Sequence, residues 1–274
     1  MTHPAADPAA AAVGPLHAEV VGPEHLRADG TVDRLVLVHG FTQTGRCWGD
    51  VAADLARDHQ LVLVDAPGHG GSTDVEADLP TGAVLLGDTG GTATYVGYSM
   101  GGRLALHLAL ARPELVQRLV LIGATGGIDD EDERAGRRAA DDALADHVEQ
   151  VGVDAFLDEW LAQPLFAGLT PAAAAREERL ANTATGLASS LRLAGTGTQE
   201  PLWDRLAAID VPVLVLAGVD DAKFSAIAGR LARSIGPNAT VALVPRAGHT
   251  AQLENPADTA SIIRRWFRAH PVTR

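Results

Sequence analysis

The sequence predicts an α/β fold: a mainly parallel, doubly wound sheet, opened once by a long helical insertion. Three observations carry this. Short, nearly unbroken apolar runs recur at 34–38, 61–64, 93–96, 119–122, 213–216 and 240–244. Runs without polar alternation belong to strands buried on both faces, as in a parallel sheet. Helix-patterned segments separate them, the alternation of a wound α/β domain. Between about 129 and 200 the rhythm stops: no strand is legible there, only charged, Ala-rich helical pattern broken at Gln163-Pro164 and Thr170-Pro171.

The elements follow in order. Residues 1–13 are Ala/Pro-rich, with neither a basic nor an apolar signal region, and read as a disordered tail rather than a signal peptide. The stretch 16–21 reads as a first edge strand, and 34–38 as a central one ending in His39-Gly40-Phe41-Thr42. Trp48, Val51, Ala52 and Leu55 fall at i, i+3, i+4 and i+7, one face of a helix. The strand 61–64 runs into Asp65-Ala66-Pro67-Gly68-His69-Gly70-Gly71-Ser72, which lacks the Lys-Ser/Thr of a phosphate loop and reads as a structural turn. Glycines limit the next expected helix to 82–88. A final helix carries Ile262, Ile263, Trp266 and Phe267. The expected organisation is a core of 14–128 and 201–274, with 129–200 as a helical cap over the C-terminal edge of the sheet, where open α/β sheets bind ligands.

At 274 residues the chain can bury one sizeable core and carry an insertion. A net charge of −13 argues against nucleic-acid or anionic-membrane partners. The single cysteine, Cys47, cannot form an intrachain disulfide, suits a reducing compartment, and reads as a packing residue. No 18-residue stretch is free of charge or Gly/Pro, so no membrane span is expected. A cytoplasmic protein without metal or cofactor is the expectation; the sequence sets no oligomeric state.

The chemistry centres on Gly97-Tyr98-Ser99-Met100-Gly101, between the strand 93–96 and the helix-forming run Arg103-Leu104-Ala105-Leu106. This spacing puts Ser99 on a sharp strand-to-helix turn, with small residues two positions either side and a helix N-terminus aimed at it. Such a serine needs a base, and the base an orienting acid. His249, in Ala247-Gly248-His249 after the last strand, is the base candidate. Asp220 and Asp221 follow the strand begun at Val213; Asp221 is preferred as the acid and Asp220 is the alternative. The N–H groups of Met100 and Phe41 are the candidate oxyanion donors. His39 reads as a structural hydrogen-bonding residue of the neighbouring loop.

Val38-His39-Gly40-Phe41-Thr42, the 65–70 segment and Gly97 to Arg103 are similar to those of many α/β-hydrolases. Glu159-Trp160-Leu161-Ala162-Gln163-Pro164-Leu165-Phe166 resembles the W-x-x-Q-P-x-F segment of the MenH family, and Gly218 through Lys223-Phe224 its G-x-x-D-x-K-F segment. Gln199-Glu200-Pro201-Leu202 is similar to its Q-x-x-L region. The resemblance implies a triad of Ser99, Asp221 and His249, and carboxylate-binding arginines at Arg103, Arg137 and Arg179. It places Tyr98, Trp160 and Phe166 around the pocket. It further implies a lyase of menaquinone biosynthesis that eliminates pyruvate from a small polycarboxylate, with Ser99 as base. A serine hydrolase using Ser99 as nucleophile is the alternative. The chain departs from the family at Thr250-Ala251-Gln252, where N-x-H is usual, and at Asp141-Asp142, where an Asp-Arg pair is expected.

Overall fold

The computed structural model describes residues 14–24 and 33–272, so the expected tail over 1–13 lies outside the described residues. The strands are β1 (Ala18–Val21), β2 (Arg34–Val38), β3 (Gln60–Val64), β4 (Ala93–Tyr98), β5 (Val116–Ile122), β6 (Val213–Gly218) and β7 (Ala239–Val244). They form one sheet in the order β1-β3-β2-β4-β5-β6-β7. β1 pairs antiparallel to β3, and every other pairing is parallel.

The apolar runs work as the sequence pattern requires. Along β2, Val36 and Val38 pack into one core with α2 (Leu79–Gly90), α3 (Met100–Ala111) and α7 (Ala222–Ile235). Leu35 and Leu37 pack into the other, with α1 (Gly49–Leu55) and α9 (Pro256–Ala269). Alternate residues enter opposite cores, so none is left polar. Each buried Val or Leu contributes roughly 1.5–3 kcal/mol relative to exposure.

Two elements differ from expectation. The edge strand begins at Ala18, not Leu16; the Leu16 amide instead donates to Thr89 Oγ1 at 3.1 Å, tying the chain to α2. α2 runs from Leu79 to Gly90 rather than 82–88, started by Asp78, which accepts from the Thr81 amide at 2.8 Å. Its glycines are packing devices. A Cβ on Gly82 would lie 2.9 Å from Leu104 Cδ2, and one on Gly87 2.8 Å from Leu108 Cδ1, so alanine at either position would have to push a leucine side chain of α3 aside. That contact offsets the roughly 1 kcal/mol of helix propensity each glycine costs.

Between β5 and β6 the described residues hold α4 (Glu131–Leu161), α5 (Arg176–Arg179) and α6 (Ala184–Ala194), and no strand. Asp130 caps α4 by accepting from the Glu133 amide, and Glu131, Asp132 and Glu133 complement the dipole of its first turn. Gly152, at φ 80 and ψ 166, breaks the rod into two. Ala145, Val148, Phe156, Leu187, Ala188 and Leu191 form a separate apolar cluster that joins α4 to α6. Among the described residues no helix is long and apolar enough to cross a membrane. β2 is flanked by β3 on one side and β4 on the other, so the winding reverses there. A crevice opens beyond the C-terminal ends of β2 and β4 at such a reversal.

Candidate active site

Ser99 occupies that crevice, between β4 and α3. Its backbone is left-handed, at φ 50 and ψ −107. A non-glycine residue held there stores about 1–3 kcal/mol of strain. The turn survives because its neighbours lack side chains. A Cβ on Gly97 would lie 2.5 Å from the Gly101 carbonyl oxygen, and one on Gly101 2.2 Å from that of Val38. The Ser99 amide donates to the Ile122 carbonyl at 2.8 Å, and its carbonyl accepts from Arg103 at 3.1 Å. Met100, at the first position of α3, has an amide without an intrahelical acceptor.

His249 lies in the loop between β7 and α8 (Ala251–Glu254). Its Nδ1 meets Asp221 Oδ2 at 3.1 Å, so the geometry selects Asp221. Asp220 is exposed, and its amide donates to the Ala247 carbonyl. Asp221 also caps α7 by accepting from the Phe224 amide at 3.0 Å. Burial works to raise the Asp221 carboxyl, but the His249 hydrogen bond and the Phe224 amide together hold it below the ordinary carboxylate value. With Nδ1 committed to the carboxylate, Nε2 is the ring nitrogen left to accept a proton. The Phe224 ring packs 4.3 Å from the imidazole and the Tyr98 ring 5.5 Å. Glu254 brackets the histidine from behind, accepting from the Gly248 amide at 2.7 Å, the Thr250 amide at 3.0 Å and the Thr250 hydroxyl at 2.7 Å.

The loops beneath the site are held by neutral histidines. His39 Nδ1 donates to the Gly40 carbonyl at 2.8 Å, and its Nε2 accepts from the Ala66 amide at 3.0 Å. His69 does the same between the Pro67 carbonyl at 3.0 Å and the Thr42 amide at 3.3 Å. Asp65 accepts from the Gly45 amide at 2.7 Å and the Gly71 amide at 2.8 Å, so the 65–72 segment is the structural turn expected of it. Protonating either ring would put a second N–H against a backbone N–H. Burial lowers the pKa of both, that of His69 to about 3. A folded value below the unfolded one stabilises the fold fully above the unfolded pKa of about 6.5, and that contribution is lost as pH falls from there towards the folded value. Urea unfolding between pH 7 and 5 is therefore expected to show stability falling below about pH 6.5, approaching 1.4 kcal/mol per pH unit for each such histidine. The His69→Gln variant should show a shallower fall.

Ser99 and His249 line one cavity of about 200 Å³, with Phe41, Tyr98, Met100, Trp160 and Phe166 also in its wall. Its charge is opposite to that of the whole chain. Arg103, Arg137, Arg179 and Lys223 line it against a single carboxylate, Asp141. Arg103 is buried and donates to the Ala194 carbonyl at 2.8 Å and the Gly195 carbonyl at 3.3 Å; burial, then the nearby Arg137 charge, lowers its pKa to about 10. Arg137 is partly exposed and pairs with Asp141 at 2.8 Å. Arg179 is 1% exposed, donating to the Ala174 carbonyl at 2.7 Å and to the Thr42 hydroxyl, while its Nη2 has no partner. A buried guanidinium nitrogen without an acceptor costs free energy until an anion supplies one. Trp160 packs on Phe41 at 5.2 Å, on Phe156 at 5.9 Å and on Phe166 at 5.6 Å, forming an apolar wall. Cys47 is buried, and burial pushes its thiol pKa up.

Among the polar residues of the wall, sequence reasoning did not assign Gln43, Asp141, Ser190, Thr196 or Lys223 to the site. Asp141 was legible as the i+4 partner of Arg137, and Lys223 as the cation two residues after the acid. Among the described residues, no group of three or more His, Cys, Asp or Glu side chains is placed to hold a metal ion.

An elbow serine under an inserted helical layer, with a His–Asp pair from the last two strand ends, defines the class of the α/β-hydrolases. The alpha/beta hydrolase family model matches residues 35–262. The 2-succinyl-6-hydroxy-2,4-cyclohexadiene-1-carboxylate synthase of Enterobacter sp. (strain 638) is 33% identical over 244 residues, covering 85% of this chain and 91% of that protein. The solved structure of MenH from S. aureus superposes with a TM-score of 0.83 at 30% identity, covering 93% of this chain and 98% of that one. A thermophilic esterase from Thermogutta terrifontis, solved with malate bound, superposes with a TM-score of 0.77 at 25% identity, covering 93% and 94%. The chain belongs to the alpha/beta hydrolase family and, within it, to the MenH family.

Proposed function

We propose that this protein eliminates pyruvate from 2-succinyl-5-enolpyruvyl-6-hydroxy-3-cyclohexene-1-carboxylate, giving 2-succinyl-6-hydroxy-2,4-cyclohexadiene-1-carboxylate in menaquinone biosynthesis. The observation that carries this reading is the cationic wall around Ser99 in a chain of net charge −13. Guanidinium groups bind carboxylates through paired N–H donors, and Arg103, Arg137 and Arg179 hold the carboxylates so that a ring C–H faces Ser99. The Ser99 hydroxyl gives its proton to His249 Nε2, and the serine oxygen takes the proton from carbon. The C–H electron pair moves into the ring and expels the enolpyruvyl oxygen. The departing enolate takes the proton from the His249 imidazolium and becomes pyruvate, which restores the neutral base. Asp221 orients the imidazole and stabilises its charged form. The amides of Phe41 and Met100 hold the negative charge that develops on oxygen. Trp160 and Phe166 keep water from the dienyl product. The substrate is a small molecule, no nucleic-acid partner is proposed, and the single cysteine suits a reducing cytoplasm.

A second reading is a serine esterase, favoured by the likeness to the Thermogutta enzyme. There Ser99 forms an ester that water then cleaves. A coupled pyruvate assay beside an acetyl-ester burst assay separates the two. The expected result is pyruvate release with little ester turnover; a stoichiometric burst without pyruvate overturns the lyase. Arg179→Met should lower kcat/KM for pyruvate release about ten- to a hundredfold, the roughly 1.5–3 kcal/mol of a charged hydrogen bond. Methionine fills similar space and removes the burden of a buried charge, so the variant should stay folded. Residual acetyl-ester cleavage should hardly change, because that substrate has no carboxylate to hold.

A further inference from the structure

Of the 22 lysine and arginine residues in the chain, Lys223 alone is a lysine. It stands in the first turn of α7, two residues after Asp221, and lines the catalytic cavity. It also lines a second cavity of about 410 Å³, which shares Ser99, Arg103, Arg137, Thr196 and Phe224 with the first. Lys223 is therefore at the junction of the two. The arginines of the catalytic wall have protein partners: Arg103 holds two carbonyls, Arg137 holds Asp141, and Arg179 holds Ala174 and Thr42. Lys223 has no ion-pair partner among the described residues; its ammonium lies 5.9 Å from the Phe224 ring centroid. Further from Ser99, the second cavity changes sign, with Asp129, Asp130 and Glu133 in its wall and Arg230 already paired to Asp129 at 2.6 Å.

We propose that Lys223 binds the carboxylate of the departing three-carbon unit, and that the second cavity is the way out for that unit. This rests on the lyase reading above. Breaking the C–O bond makes two anions from one. The ring product keeps its carboxylates on the arginines, and the leaving keto acid needs a cation of its own close to Ser99. An ammonium on a flexible stem can follow a leaving group in a way that a fixed guanidinium fork cannot. The acidic wall beyond then repels the anion outward, so binding at the junction does not become a trap.

Two measurements test this. Lys223→Gln should lower kcat/KM for pyruvate release about ten- to a hundredfold, with a matching rise in the inhibition constant of oxalate, a stable mimic of the enolate of pyruvate. Lys223→Arg should restore oxalate inhibition, since the positive charge remains, but kcat/KM only in part, since a guanidinium fork does not follow the leaving group. Because the chain has one lysine, reductive methylation with 13C-formaldehyde labels only Lys223 and the N-terminal amine. The Lys223 signal should shift on titration with oxalate or pyruvate. An unmoved signal, or a Gln variant with unchanged kcat/KM and oxalate inhibition, overturns the proposal. If the wild-type protein makes no pyruvate, the lyase reading fails instead, and the oxalate titration still decides whether Lys223 is an anion site.

Discussion

Ser99→Ala is expected to cut pyruvate release by about a thousandfold or more, the scale on which removing the serine of such a triad acts. The loss should fall on kcat, with substrate binding retained. In the proposed mechanism the serine oxygen takes the carbon-bound proton, whereas the carboxylates are held by the arginine side chains. Stability provides the control. Alanine does not relieve a backbone at φ 50, so Ser99→Ala should unfold at nearly the wild-type temperature. Ser99→Gly should lose as much activity and be more stable by about 1 kcal/mol, since glycine adopts this conformation without strain. The checks are a lactate-dehydrogenase-coupled pyruvate assay and thermal unfolding of the same preparations. A Ser99→Ala protein that retains a tenth of wild-type activity would remove the serine from the mechanism.

Asp221→Asn is expected to cost about 10⁴ in kcat. An amide presents the His249 Nδ1 with a neutral partner, so the tautomer that leaves Nε2 as base is no longer enforced. The folding role of the residue should be spared, because Asn caps a helix as well as Asp and the Phe224 amide keeps its acceptor. The pH dependence separates the two roles. The folded carboxyl lies below its unfolded value of about 3.9, so its contribution to stability is full above that pH and is lost as pH falls through the lower folded value. The Asn variant lacks this term, so its acid unfolding below about pH 4 should be less steep than that of the wild type. Urea midpoints between pH 5 and 3 measure it, beside kcat at neutral pH.

The strands were the legible part of the fold, because burial on both faces removes every polar residue from runs such as 35–38. α2 was read three residues short at its start because glycine depresses helix propensity. What the propensity scale lacks is the neighbour: Leu104 and Leu108 pack into the space that Gly82 and Gly87 leave, and that contact is between segments distant in sequence. In the site, spacing was enough to pick out Ser99 and His249, each in the turn or loop that follows a strand. It favoured Asp221 over Asp220 without excluding the latter, because the two share a loop and differ in which side chain meets His249; in the structure that is Asp221. The pair Asp141-Asp142 looks in sequence like a missing positive charge. In the structure Asp141 is the buried partner that sets the position of Arg137, a relation that depends on helix rotation rather than on residue type.

Phe41 belongs to two mechanical parts at once. Its ring sits edge-on to Trp160 and Phe156, both carried by α4, while its backbone is part of the loop that follows the central strand. Ring and amide are joined through one Cα, so the residue works as a lever with its short arm at the chemistry. Phe156 and Trp160 both follow the break in α4 at Gly152, so one segment of the cap contacts the residue whose amide is proposed as an oxyanion donor. The aromatic wall and the proposed oxyanion amide thus hang on one residue, so a substitution that shifts the Phe41 ring is expected to lower kcat as well as substrate binding.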